Sequence, residues 1–197
     1  MLILVRHANP KIDPAVAASQ WRLSAAGVKR AGELAKHLVG HGVQTVVSSA
    51  EPKAYQTAQI LAEQFSLQVE VADGLQEHER PLTASSFTST DEFQAQVAAF
   101  FAQPGRLVFG RETAEQCFER FNQAMHEVIA RHPDKMQAVV SHGTVLSLFL
   151  SRYNNLDAFT FWQELGMPAS IRVDVPGFSI VDRWTLPEIP SCGAEKS

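Results

Sequence analysis

The sequence predicts a three-layer α/β domain with a mostly parallel central sheet, helices on both faces and an antiparallel hairpin near the C-terminus. Short runs rich in Val, Ile and Leu, such as residues 2–5 and 138–141, are typical of buried parallel strands. Longer segments whose apolar residues recur at helical spacing lie between these runs. Two further strand-like runs, 170–175 and 178–184, flank the turn residues Pro176 and Gly177 and predict the hairpin.

The first half of the chain alternates strands and helices. The strand at 2–5 is followed by a helix that Ser24 is placed to cap and that Gly40 and Gly42 end. Residues 43–47 predict the next strand. A second helix runs between Ala54 and Phe65, and a third strand follows at 67–71. The expected buried stripe of the first helix consists of Val28, Ala31, Leu34, Ala35 and Leu38.

The second half begins with an irregular stretch, about 78–110, which we interpret as a small insertion over the sheet. It holds a Ser/Thr-rich loop and one helical segment with Phe93 and Phe100. Thr113 and Gln116 form a capping-box pattern that opens a long helix. The strand at 138–141 and a helix over 145–150 come next. We expect a single domain over 1–186 and a disordered tail over 187–197.

Bulk composition narrows the function classes. A length of 197 residues fits one domain, and 45% hydrophobic with 19% charged residues is ordinary for a globular protein. A net charge of −4 gives no reason to expect binding to nucleic acid or to a membrane surface. No apolar run approaches the roughly 20 residues that span a bilayer. Because strand-like residues begin at Leu2, we expect no cleavable leader and a cytoplasmic location.

Two histidines stand where predicted parallel strands end. His7 follows the run 2–5, and His142 follows the run 138–141. In open α/β sheets, ligands bind in the crevice outside the carboxyl ends of the strands. The two imidazoles are therefore expected to meet over one pocket.

The residues near these strand ends suit phosphoryl transfer. An imidazole with one free nitrogen can attack phosphorus, and the guanidinium of Arg6 matches the geometry of phosphate oxygens. Lys53 lies in the first turn of a predicted helix, where the dipole also favours an anion. Glu77 follows a strand end and offers a carboxyl group for proton transfer. Taken singly, each of these residues is more often a packing or surface residue.

Together, four segments in order resemble the histidine phosphatase superfamily, also called phosphoglycerate-mutase-like. The family patterns are Arg-His-Gly, Ser-Pro-Leu-x-Arg-Ala-x-Gln-Thr-Ala, Leu-x-Glu and Ser-His-Gly. The resemblance runs from residue 2 to about residue 184. The matching segments are Arg6-His7-Ala8-Asn9-Pro10, Ser49-Ala50-Glu51-Pro52-Lys53-Ala54-Tyr55-Gln56-Thr57-Ala58, Leu75-Gln76-Glu77 and Ser141-His142-Gly143.

The resemblance implies His7 as the phosphorylated nucleophile and Glu77 as proton donor to the leaving oxygen. It also implies His142 and Arg6 as catalytic residues. It implies no metal and no cofactor, since cationic side chains supply the positive charge. Glu79 is the rival for the acid role. The residues implied to bind the phosphoryl group are Arg6, Lys53, His142, Asn9 (through its amide) and Thr144.

Three departures from the family pattern bear on catalysis. Lys53 replaces an arginine, which exchanges a bidentate fork for a point charge. Ala8 replaces a glycine and is tolerated only where φ is negative. The stretch Ala50-Glu51-Pro52 replaces Pro-Leu-x and is expected to change how the helix starts.

The predicted activity is metal-independent hydrolysis of a phosphate monoester through a phosphohistidine. The substrate would be a small phosphorylated metabolite or a phosphoprotein. One alternative is a phosphoglycerate-type mutase, for which Arg80, Arg106 and Arg111 are the candidates to bind a second phosphate. The other, motivated by Lys53 and Ala8, is a weakly catalytic phospholigand-binding protein.

Overall fold

The computed structural model describes residues 1–80 and 89–186. The predicted tail over 187–197 and part of the predicted Ser/Thr-rich loop lie outside the described residues. The single-domain assignment with an insertion at about 78–110 stays a prediction. No helix in the described part of the chain has the length and apolar character needed to cross a membrane.

The centre of the molecule is a six-stranded mixed sheet of order β3-β2-β4-β1-β5-β6. The neighbouring pairs among β1 to β4 run parallel, whereas β5 pairs antiparallel with both β1 and β6. The predicted fold class, including the C-terminal hairpin, is therefore confirmed. The strands are β1 (Leu2–Arg6), β2 (Thr45–Ser48), β3 (Val69–Val71), β4 (Gln137–Ser141), β5 (Ala169–Val173) and β6 (Ile180–Thr185).

Helices cover both faces of this sheet. Alternate residues of β1 point to opposite faces, so that Ile3 and Val5 join one apolar cluster and Leu2 and Leu4 join the other. Because both faces are covered, the inner residues of the central strands β1, β2 and β4 are apolar on both sides of the sheet. The helices are α1 (Ala25–His37), α2 (Pro52–Phe65), α3 (Thr90–Ala102), α4 (Ala114–Arg131), α5 (Gly143–Asn154) and α6 (Ala158–Glu164), with a 3-10 turn at Ala18–Gln20.

Sequence signals for helix starts are confirmed. The Ser24 hydroxyl accepts a hydrogen bond from the backbone N–H of Gly27, and Thr113 with Gln116 forms both bonds of the capping box. One packing expectation was wrong: Val28 is 51% exposed. The buried face of α1 is centred on Gly27, Ala31 and Leu34, which turns Val28 toward solvent. Neither α6 nor the 3-10 turn was predicted.

The register of the sheet brings three chain segments to one edge. Arg6 is paired with Ser141 at the carboxyl ends of β1 and β4, and the backbone N–H of His7 donates to the Ser141 carbonyl at 3.0 Å. On the other side of β4, the backbone N–H of Ser49 donates to the Val140 carbonyl at 3.0 Å. The segments that follow β1, β2 and β4 therefore leave the sheet side by side.

Candidate active site

The two strand-end histidines meet as the sequence predicts. Their ring centroids are 5.1 Å apart in an edge-to-face arrangement, and both residues are buried. The Nδ1 atom of His7 lies 2.7 Å from the Ala8 carbonyl oxygen. Because a carbonyl only accepts, Nδ1 carries the proton and Nε2 keeps its lone pair. His7 is thus held in the tautomer that a nucleophile needs.

Both imidazoles are neutral at neutral pH. Burial, followed by the repulsion that a protonated His142 would exert and by the charge of Lys53, holds the pKa of His7 well below its usual value. Burial and the charge of Lys53 lower the pKa of His142 in the same way, although Glu77 acts against them. A neutral His7 is available to attack without first losing a proton.

Arg6 is fixed between a carbonyl and a glycine. Its Nη1 donates to the backbone carbonyl of Leu165, at the end of α6. Its guanidinium lies flat against Gly143, where a Cβ would come within 2.9 Å of Nε, 3.0 Å of Cζ and 3.1 Å of Nη2. The glycine of the Ser-His-Gly segment therefore makes room for the arginine of the first segment.

Lys53 enters the same region from the first turn of α2. Its side chain is buried, and Nζ donates to the Ala18 carbonyl at 2.8 Å and to the carboxylate of Glu51. Ala18 belongs to the 3-10 turn. The ammonium group is therefore held by one neutral acceptor and one anionic acceptor.

Glu77 accepts hydrogen bonds from the N-terminus of α5. One carboxylate oxygen accepts from the Thr144 N–H at 3.1 Å and the other from the Val145 N–H at 3.2 Å, while Arg80 lies 3.6 Å away. Burial alone would raise the pKa of Glu77, but Arg80, His142 and backbone N–H donors outweigh it and hold the pKa far below its usual value. Glu77 is therefore ionised at neutral pH.

The loop that carries Glu77 is braced by Arg120 on α4. The Arg120 guanidinium donates to the carbonyls of Gly74 and Gln76 at 2.8 and 3.1 Å. It also pairs with Glu112 at 2.6 Å. Because one guanidinium ties this loop to α4 at several points, Glu77 is presented from a fixed backbone.

The three remaining predicted site residues differ in their placement. Thr144 lines the main cavity, but its backbone N–H is committed to Glu77. Asn9 lines a smaller adjoining cavity of about 510 Å³, which it shares with Arg6 and Arg30. Glu79, the rival acid, is 57% exposed in its side chain and pairs with Arg111 at 3.3 Å.

The main cavity, of about 970 Å³, opens above these residues. Arg6, His7, Lys53 and Glu77 form part of its polar lining. Apolar and aromatic side chains line another part of the cavity. There the rings of Phe93 on α3 and Trp162 on α6 meet edge to face with centroids 5.9 Å apart. The further apolar lining consists of Pro10, Ile12, Ala17, Ala18, Trp21 and Met167.

Sequence reasoning missed three residues at this site. The Ser49 hydroxyl lies 2.9 Å from Nε2 of His142. Glu51 bonds to Lys53, although the sequence pattern had marked it only as a change in helix start. Trp162 lies on α6, which carries no clear apolar period in the sequence. For Ser49 and Glu51 the signal was present, because both fall within the segment that contains Lys53.

A family model described as the histidine phosphatase superfamily, branch 1, matches residues 2–174. The chain belongs to this superfamily. A curated member, phosphoserine phosphatase 1 of Hydrogenobacter thermophilus, is 27% identical over 168 residues, which cover 82% of this chain and 79% of that protein. The sequence resemblance is therefore confirmed.

Solved structures of the superfamily share the fold. The phosphoserine phosphatase of Entamoeba histolytica in complex with 3-phosphoglyceric acid aligns with a TM-score of 0.70 at 17% identity, covering 94% of this chain and 96% of that one. A mycobacterial glucosyl-3-phosphoglycerate phosphatase aligns with a TM-score of 0.65 at 21% identity, covering 87% and 90%. At these identities the structural likeness concerns the fold alone.

Proposed function

We propose that this histidine phosphatase hydrolyses phosphate monoesters through a phosphohistidine on His7. The observation that carries the proposal is the bond from His7 Nδ1 to the Ala8 carbonyl, which leaves Nε2 unprotonated beside His142. Superfamily membership and the curated phosphoserine phosphatase support the same reaction class.

In the first step, the Nε2 lone pair of His7 attacks phosphorus and the ester P–O bond breaks. Charge on the three equatorial oxygens is stabilised by donors that are already in place, which supplies most of the rate in phosphoryl transfer. Arg6 and Lys53 provide the positive charge, and neutral His142 provides at most one N–H donor. Water then attacks the phosphohistidine and releases inorganic phosphate and free His7.

Glu77 supplies the proton to the leaving oxygen once substrate is bound. Without ligand it is ionised, because N–H donors and Arg80 stabilise its charge. A phosphate dianion brought beside it disfavours a second negative charge and raises its pKa. Glu77 then takes up one proton from solvent as the substrate binds, donates it to the leaving oxygen, and later accepts one from the attacking water.

The cavity favours a small phosphorylated metabolite over a phosphoprotein. Its volume of about 970 Å³ lies within the range of small-molecule sites. The mutase alternative is disfavoured because Arg80 and Arg111, which line the cavity, are engaged by Glu77 and Glu79. The cytoplasmic location and the independence from metal stay predictions.

Turnover of an aryl phosphate in the presence of EDTA tests this proposal. Wild-type protein is expected to release phosphate and to yield an acid-labile, base-stable phosphoenzyme after rapid quenching. His7→Ala should abolish both signals, and His126→Ala, at an exposed histidine on α4, serves as the matched control. Equal turnover by wild type and His7→Ala would refute the catalytic role of His7 and favour the phospholigand-binding alternative. Isomerisation of a phosphoglycerate without phosphate release would favour the mutase.

A further inference from the structure

Glu51 places a carboxylate among the groups proposed to bind phosphate. It precedes α2 at the N-cap position, yet its side chain makes no cap hydrogen bond. One carboxylate oxygen instead bonds to Lys53 Nζ, and the other accepts from the Glu77 backbone N–H at 2.8 Å. That second oxygen also lies 3.7 Å from Nε2 of His142. The side chain is 10% exposed and lines the main cavity.

A carboxylate and a phosphoryl group compete for the same donors. The carboxylate is planar and the phosphoryl group is tetrahedral, but both present anionic oxygens that accept hydrogen bonds from ammonium and N–H groups. Glu51 therefore satisfies Lys53 in the unliganded protein, and a phosphoryl oxygen that binds Lys53 must come close to this carboxylate or displace it. Two like charges that share one cation oppose each other.

We propose that Glu51 is a specificity-determining residue of the phosphoryl site, an internal anion that holds Lys53 until a phosphoryl oxygen takes its place. This inference rests on the proposed function, because it assumes that the phosphoryl group binds at His7. It explains why Glu51 turns away from the helix N-terminus toward Lys53. The site then discriminates against weakly bound anions, since only a ligand with enough additional contacts displaces the carboxylate.

The charged and titratable groups near Glu51 come from four parts of the fold. Lys53 belongs to α2, and the neutral His142 precedes α5. Arg6 and neutral His7 come from the end of β1, and Glu77 and Arg80 from the loop after β3. Among these described residues, three cations and two carboxylates line the cavity, which leaves one net positive charge for a phosphate that carries up to two negative charges. Removal of the Glu51 charge doubles that excess.

Equilibrium binding of inorganic phosphate, measured by titration calorimetry, tests the inference without any turnover. Glu51→Gln preserves the size of the side chain and an oxygen for the Glu77 N–H, but removes the charge. We expect its Kd for phosphate to fall about tenfold or more relative to wild type, as for removal of a close like charge in a partly desolvated site. Glu51→Leu, the residue of the family pattern, should shift the Kd in the same direction and covers the case in which the glutamine variant does not fold.

Glu115→Gln is the matched control, because it removes one carboxylate from an ion pair with Arg152 on α5, and Glu115 does not line the cavity. Its Kd for phosphate should stay within about twofold of wild type. Unchanged or weaker binding by the Glu51 variants would show that Glu51 only positions Lys53 and would overturn the inference. An equal gain in the control would overturn it too, as a general charge effect. If neither wild type nor the variants bind phosphate, the inference fails, while the His7→Ala turnover assay still decides the proposed function.

Discussion

Replacement of Gly143 by alanine tests whether Arg6 acts from the position that the structure gives it. The added Cβ would lie 2.9 to 3.1 Å from three atoms of the guanidinium, whereas ordinary contacts begin near 3.4 Å. The guanidinium is also tied to the Leu165 carbonyl, so it can move away only by giving up that bond. The expected displacement of the guanidinium is a few tenths of an ångström or more.

The size of the effect follows from two known costs. Overpacking of this kind costs about 1–3 kcal/mol of stability. Misplacement of a substrate-positioning group by about 1 Å costs about 100-fold in rate, so a smaller displacement should lower kcat/KM by about 10- to 100-fold. The assay is steady-state turnover of an aryl phosphate, combined with denaturant unfolding to separate lost activity from lost stability.

Gly32→Ala is the matched control for this experiment. Gly32 also lies in a helix, α1, but no heavy atom lies within 4 Å of a Cβ built there. The substitution should stabilise the protein by about 0.5–1 kcal/mol and leave kcat/KM unchanged. If Gly143→Ala kept wild-type kcat/KM as well, Arg6 would not be a ligand of the transition state in the observed geometry.

Three further predictions use the same assays. Lys53→Arg should keep or raise turnover, because the guanidinium retains the charge and adds a second donor for phosphate; a large loss would mean that the pocket is shaped around lysine. Glu77→Gln should slow the hydrolysis of esters with poor leaving groups more than that of esters with good ones, and equal slowing would move the acid role away from Glu77. Burial, followed by the charge of Arg80, lowers the pKa of His78 to about 4 in the folded protein, below the unfolded value near 6.5. The contribution of neutral His78 to the free energy of unfolding is therefore present above about pH 6.5 and is lost as the pH falls toward 4. Urea unfolding at pH 7 and pH 4.5 should therefore show a loss of at most about 3 kcal/mol that His78→Phe removes, and an identical pH dependence in the variant would contradict this assignment.

The elements that have strong local signals were predictable from sequence. Short apolar runs gave β1 and β4 because both faces of these strands are buried, and the strand-end rule brought His7 and His142 together. Ala8 also has the negative φ that an alanine requires there, since the described non-glycine residues with positive φ are Ser66, Asn155 and Phe178. Its N–H donates to the Thr57 hydroxyl at 3.1 Å, which helps to hold the turn after β1.

Other features of the site depend on tertiary contacts that local sequence patterns do not indicate. The 7-residue helix α6 is short, and it packs mainly on α5 and also on α3. It nevertheless supplies Trp162 to the cavity and leads to the Leu165 carbonyl that fixes Arg6. In the sequence, Arg120 is likewise indistinguishable from the other charged residues of α4. Only the fold brings it into hydrogen-bond contact with the loop that carries Glu77.

The burial that creates the nucleophile also determines where the positive charge must come from. Desolvation keeps His7 neutral and therefore reactive, but the same desolvation keeps His142 neutral, so His142 contributes a polar N–H group rather than a full charge. Arg80 is engaged by Glu77, which leaves Arg6 and Lys53 as the cations adjacent to the two imidazoles in the described part of the chain. Because Glu51 already satisfies Lys53, the positive charge presented to a phosphoryl group depends on a carboxylate that belongs to neither the nucleophile nor the acid. Substitutions at Glu51 and Lys53 should therefore be strongly non-additive, since each alters the charge that the other opposes.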